Sequence, residues 1–194
     1  MFHTFTRSCL RTIAALVLFG AALHAHATDT PQVLLKTSAG DIVIELNAVK
    51  APKSVANFLQ YVNKGFYNGT IFHRVMSSFM IQGGGFTADM QEKETGAPID
   101  NEAKNGLSNA PYTIAMARRY PPHSATAQFF INVGNNTRLD YPAHDGWGYA
   151  VFGKVVSGTD VVDKIKAVRV GRSGPHENVP LEPVTIISAT VIKS

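Results

Sequence analysis

The sequence predicts a mainly β domain: an antiparallel sheet closed into a barrel or sandwich, with helices covering its ends. Three observations carry this. About eight apolar or alternating runs have strand length. Only two stretches repeat their apolar residues with helical spacing. Strands and helices do not alternate along the chain, which argues against a parallel βαβ sheet.

Residues 1–27 stand apart from this domain. Arg7 and Arg11 form a basic start, Thr12 to Leu23 is an apolar run short for a bilayer span, and Ala25-His26-Ala27 is a small-x-small cleavage site. The pattern predicts a secretory signal peptide cut after Ala27, and no later stretch approaches membrane-spanning length. Cleavage leaves 167 of the 194 residues as one domain, 28–194, and removes two arginines and no acid. The formal charge falls from +4 to +2, which gives little reason to expect nucleic-acid binding. The one cysteine, Cys9, leaves with the leader. The mature chain therefore needs no disulfide and excludes thiol catalysis and cysteine-ligated metal. Without a cysteine after the apolar run, nothing supports a lipid anchor.

After a flexible start, Val33–Thr37 and Asp41–Leu46 read as strands joined by a turn at Ser38-Ala39-Gly40. A helix follows. Pro52 suits its first turn, Val55, Phe58, Leu59 and Val62 fall on one face, and Gly65 is a natural stop. Ile71–Val75 reads as a strand with Ile71, His73 and Val75 facing one way and Phe72 and Arg74 the other. Ser77-Ser78 reads as a turn, Phe79–Gln82 as the next strand, and Gly83-Gly84-Gly85 as a site of close backbone approach. Thr87 to Ala110 is a long polar loop, of the kind that is functional or disordered. Strands are then expected at 113–117, 128–133 and 149–156, with Gly153 marking a bulge or close approach. A second helix begins near Thr159 or Asp160, and 183–193 closes the chain as a strand.

Several familiar motifs fail. Gly83 to Ala88 fits a dinucleotide-binding glycine pattern in letters, but no helix opens after it. There is no P-loop and no nucleophile elbow. His73, His123, His144 and His176 lack helical metal-ligand spacing, so neither metal nor cofactor is expected. His73 beside Arg74 reads as a hydrogen-bonded structural histidine rather than a base. Asn68-Gly69-Thr70 and Asn135-Asn136-Thr137 match the glycosylation sequon, which matters only in a eukaryotic secretory route. The segment Phe72–Phe86, FHRVMSSFMIQGGGF, carries more. It places a cation, an aromatic ring, a thioether and an amide where they can share one face, which suits an apolar pocket with a few placed polar groups.

That segment, with Ile114-Ala115-Met116-Ala117, Gln128-Phe129-Phe130-Ile131 and Val151-Phe152-Gly153-Lys154-Val155, resembles the cyclophilins, peptidyl-prolyl cis–trans isomerases, across nearly all of the mature chain. The leader and the GYAVFGKVV wording look most like the bacterial periplasmic branch. The resemblance implies a closed eight-stranded antiparallel β-barrel capped by two α-helices. It assigns Arg74 and Gln82 to catalysis and Phe79, Met80, Ala117, Gln128, Phe130, Leu139 and Tyr149 to substrate binding. It implies a monomeric folding helper in the periplasm, acting on proline-containing unfolded or partly folded polypeptides without cofactor, metal, nucleic acid or, after leader cleavage, membrane. The chain departs from the commonest pattern at Tyr112, Arg118, Ala127, Arg138 and Tyr149. Arg138 replaces a common tryptophan, so cyclosporin binding is expected to be weak, and Arg118 and Arg138 are expected to tune preference beside the proline. Rival readings are a non-catalytic proline-binding chaperone and a docking partner using Arg118 and Arg138. A hydrolase lacks a recognisable nucleophile–base pair.

Overall fold

The computed structural model describes Met1 and residues 30–193. The expected leader, with Cys9, lies outside the described residues. Eight strands form one antiparallel sheet: β1 (Gln32–Thr37), β2 (Gly40–Leu46), β3 (Arg74–Met76), β4 (Met80–Gly83), β5 (Thr113–Met116), β6 (Phe129–Asn132), β7 (Val151–Ser157) and, last in the chain, β10 (Ile186–Lys193). Their order is β10-β1-β2-β7-β5-β6-β4-β3. The sheet curls until its edges meet. Between the segments leading into β3 and β10, Ile71 pairs with Thr185, Phe72 N–H donates to Val184 C=O, and Ile186 N–H donates to Thr70 C=O. Closure is thus one isolated bridge rather than a full ladder.

Alternation decides the two faces. Ile81, Ile131 and Ile114 are register neighbours across β4, β6 and β5, and all three are buried in the barrel interior. Leu35, Ile42, Ile44 and Phe152 join them there, with Phe58 from the first helix. The next residues in register, Gln82, Phe130 and Ala115, therefore point to the outer face. The ladder begins only at Arg74, so the alternation expected from Ile71 fails at Phe72, which joins Val75 in the interior. Gly153 makes its expected close approach: a Cβ there would lie 2.5 Å from the Glu45 carbonyl oxygen.

Helix α1 (Pro52–Asn63) buries Val55, Phe58, Tyr61 and Val62 against the barrel. Its own N-cap side chain makes no capping bond. The Glu102 carboxylate does the work from the long loop, accepting from Lys53 N–H, Ser54 N–H and Ser54 Oγ at 2.9, 2.7 and 2.7 Å. A carboxylate suits the positive end of a helix. The loop is further tied down where Asn105 Nδ2 donates to Val151 C=O at 2.9 Å. Helix α2 (Thr159–Lys166) sits near the Gly40 end of β2, with Val161 against that glycine. A hairpin, β8 (Val170–Ser173) with β9 (His176–Pro180), stands outside the main sheet and was not expected from the sequence.

Candidate active site on the outer face of the barrel

Five strands build one row of side chains. Arg74 on β3 is the register partner of Gln82 on β4, and Gln82 is the partner of Phe130 on β6. The row continues through Ala115 on β5 to Val151 on β7. One end is cationic, the middle is an amide, and the rest is apolar. Below it Met76 pairs with Met80. Met80, Ala115, Phe130, Leu139 and Val151 form a buried cluster, with Met76, Phe79, Leu107, Ala117 and Tyr149 packed against it. Six of the expected substrate residues, Phe79, Met80, Ala117, Phe130, Leu139 and Tyr149, thus meet in a single apolar group. The seventh, Gln128, lies beside it and accepts a 2.9 Å hydrogen bond from Gln82 Nε2.

The cluster is a closely packed apolar floor. Phe130 keeps 4% of its surface exposed and Met80 2%. The adjoining concavity is a cleft of about 470 Å³ walled by Gln82, Ala117, Gln128, Glu92, Arg119 and Thr126. A second hollow of about 530 Å³, between Leu46, Val49, Ala110 and Lys154, has none of Arg74, Gln82 or Phe130 in its walls.

Arg74 is half-buried and its Nη2 donates to Met76 Sδ at 3.2 Å. Thioether sulfur is a weak acceptor, so among the described residues most of the guanidinium fork has no strong partner. Met76 was missed in the sequence reading. Its signal was there: it is two residues from Arg74 and so on the same face of the strand. Gln128 is held by its surroundings as well as by Gln82, with Nε2 donating to Glu92 Oε1 at 3.3 Å. A Cβ on Gly85 would come within 2.5 Å of Gln128 Cγ, so the third glycine makes room for that side chain.

Arg118 departs from expectation. Its side chain is only 3% exposed and is consumed by internal bonds. Nε donates to Gly148 C=O at 3.0 Å, Nη1 to the carbonyls of Arg119 and Tyr120 at 3.1 and 3.2 Å, and Nη2 to the Asp145 carboxylate. Asp145 Oδ1 also accepts from Trp147 and Gly148 N–H. Burial raises the Asp145 pKa, but the Arg118 bond, the two amide donors and the Arg118 charge outweigh it, holding the carboxyl well below its ordinary range. The guanidinium stacks 4.5 Å from the Tyr149 ring centre, and Tyr149 meets Phe130 edge-on at 5.8 Å. Arg118 therefore braces Tyr149 at the margin of the apolar floor. It also lines the cleft beside Ala117 and Gln128, with its donors already bonded internally.

His73 is 5% exposed and packed 4.5 Å from the Phe86 ring, and among the described residues its Nδ1 has no hydrogen-bond partner. Burial, then the charges of His176 and Arg74, lower its pKa to about 4, so it is neutral near pH 7. The burial of His73 fits its structural reading. Among the described residues no group of three or more His, Cys, Asp or Glu is placed to hold a metal, and no helix is long and apolar enough to cross a membrane.

Residues 32–191 match the family model described as cyclophilin type peptidyl-prolyl cis-trans isomerase/CLD. The chain belongs to the cyclophilin family. Its activity class is therefore cis–trans isomerisation of peptidyl-prolyl bonds. Among curated relatives, peptidyl-prolyl cis-trans isomerase cyp18 of Streptomyces antibioticus is 62% identical over 162 residues, 82% of this chain and 98% of that protein. Peptidyl-prolyl cis-trans isomerase B of Escherichia coli K12 is 58% identical over 82% of this chain and 98% of its own. Peptidyl-prolyl cis-trans isomerase A of Dickeya dadantii is 54% identical over 94% of each chain. A cyclophilin-type isomerase from Cryptosporidium parvum, crystallised in the presence of the dipeptide Ala-Pro, superposes with a TM-score of 0.68 at 25% identity, covering 82% of this chain and 98% of that one. In this cyclophilin Arg74, Gln82 and Phe130 share one register row.

Proposed function

We propose that this cyclophilin accelerates rotation about X-Pro bonds in exported polypeptides in the periplasm, assisting their folding, with Arg74 as the group that favours the twisted bond. The carrying observation is the row Arg74–Gln82–Phe130, which sets a guanidinium without a carboxylate partner among the described residues beside an apolar floor.

The barrier to X-Pro rotation comes from amide resonance lost at the twisted geometry. No bond is made or broken, so the site must bind the twisted imide better than either planar form. As the bond twists, the imide nitrogen becomes pyramidal and regains a lone pair. A guanidinium stays charged and presents several donors in a fixed fork, which suits donation to that nitrogen. Among the described residues Arg74 is engaged by a thioether alone, so little must be given up when the substrate arrives. Phe130, Met80 and Leu139 offer the pyrrolidine ring a dry surface, and Phe79 and Tyr149 stand at its margin. Gln82 and Gln128, joined to each other, face the cleft where flanking peptide backbone would lie. Each tenfold in rate needs about 1.4 kcal/mol, and one charge-assisted hydrogen bond in a dry site supplies a few kcal/mol.

The periplasmic part rests on the leader-like pattern of residues 1–27 and the absence of cysteine from 28–194. The test is a proline-limited refolding assay with the 28–194 chain, together with N-terminal sequencing of the exported protein. Catalysed refolding and a first residue of Thr28 support the reading. Binding of unfolded chains with no acceleration would instead make the protein a holding chaperone.

A further inference from the structure

We infer that Arg138 gives this site a preference for prolyl peptides carrying a carboxylate within two residues of the proline. The inference rests on the reading of the apolar floor as the proline-binding surface. Arg138 belongs to the short 3-10 helix Thr137–Leu139, one position before Leu139 of that floor. Its guanidinium carbon lies 5.0 Å from the centre of the Phe79 ring, and Phe79 packs against the same cluster. The residue is exposed, and among the described residues it donates no hydrogen bond and forms no ion pair.

Several surface cations are matched, and Lys36, Lys50, Lys64 and Arg169, unmatched among the described residues, are not part of the apolar cluster. Lys53 pairs with Asp100, Lys164 with Asp160, Lys166 with Asp163 and Arg172 with Glu177. The carboxylate next in sequence, Asp140, is already taken, accepting from Ser108 Oγ at 2.6 Å, Asn109 N–H at 2.7 Å and Asn109 Nδ2 at 2.9 Å. Arg74, at the end of the row, has among the described residues only the Met76 sulfur. Two uncompensated cations thus flank one apolar surface. Stacking on Phe79 orients the Arg138 fork while leaving its N–H groups free, so little ordering is required to grip a carboxylate.

The test measures kcat/KM for neutral X-Pro peptides and for versions with Glu or Lys placed before or after the proline, in low and high salt. The expected result is about a fivefold to tenfold advantage of the Glu peptide over the Lys peptide at low salt, at one side or both, shrinking at about 0.5 M salt. Arg138→Gln removes the advantage, Arg138→Glu inverts it, and the distant control Arg172→Gln leaves it as it was. Equal rates for Glu and Lys peptides, or a preference that survives Arg138→Gln, overturns the inference. Arg74→Ala on the neutral peptide separates the two levels. If that variant stays fully active, the site reading itself fails. If it is inactive while the charge preference is missing, only the role of Arg138 fails.

Discussion

Gln82 and Gln128 are joined side chain to side chain by a 2.9 Å hydrogen bond across 46 positions of sequence. The bond exists because Gly85 leaves space: a Cβ there would meet Gln128 Cγ at 2.5 Å and Nε2 at 2.6 Å. Gly85→Ala is expected to push Gln128 away and free Gln82, while the flexible side chain absorbs the clash and the barrel survives. The measurable consequence is a rise in KM for X-Pro peptides by roughly tenfold, the scale of one lost hydrogen bond, with thermal stability little changed. An unchanged KM in a folded Gly85→Ala protein would separate the glycine run from the site.

Arg118 and Asp145 form an interior pair that fixes Tyr149 against Phe130. Arg118→Leu leaves the Asp145 carboxylate without its countercharge and is expected to cost about 3 kcal/mol of stability in urea unfolding. Asp145→Asn keeps an acceptor for the Trp147 and Gly148 amides and should cost less. Both changes should also shift the fluorescence of Trp147, the single tryptophan of the chain. Full stability in Arg118→Leu would show that the pair is not structural.

Much of this site was legible because alternation is local. Gln82 beside Ile81, and Phe130 beside Ile131, announce one inward and one outward residue, and both pairs behave so in the folded chain. The Arg74-to-Met76 step obeys the same period. Other features had no local signature. Asp145 lies 27 positions from Arg118 in a polar loop, and nothing nearby marks it as a buried partner. Glu102 caps α1 from 48 positions away. The hairpin β8–β9 stands outside the main sheet, and its first strand has no fully buried residue, so no apolar period betrays it. Phe72 points inward because chain closure, not a ladder, sets the backbone there.

His73 makes stability depend on pH. Its pKa in the folded chain is lowered to about 4, below the ordinary value of 6.5. The unfolded chain therefore binds a proton first as pH falls. The stabilising effect of the neutral, buried imidazole is complete above about pH 6.5 and is lost progressively down to about pH 4, by up to roughly 3 kcal/mol. Urea unfolding across that window should show the fall, and His73→Gln should flatten it. A His73→Gln profile as steep as the wild type would assign the slope to other groups.

The central claim concerns the guanidinium beside the apolar floor. Exchange NMR on a saturating Ala-Pro peptide reads the cis–trans interconversion rate on the enzyme, with binding measured separately. Arg74→Ala is expected to slow interconversion by about a hundredfold or more while the fold and peptide binding persist. Interconversion at close to the wild-type rate in the folded, peptide-bound Arg74→Ala protein would contradict the account.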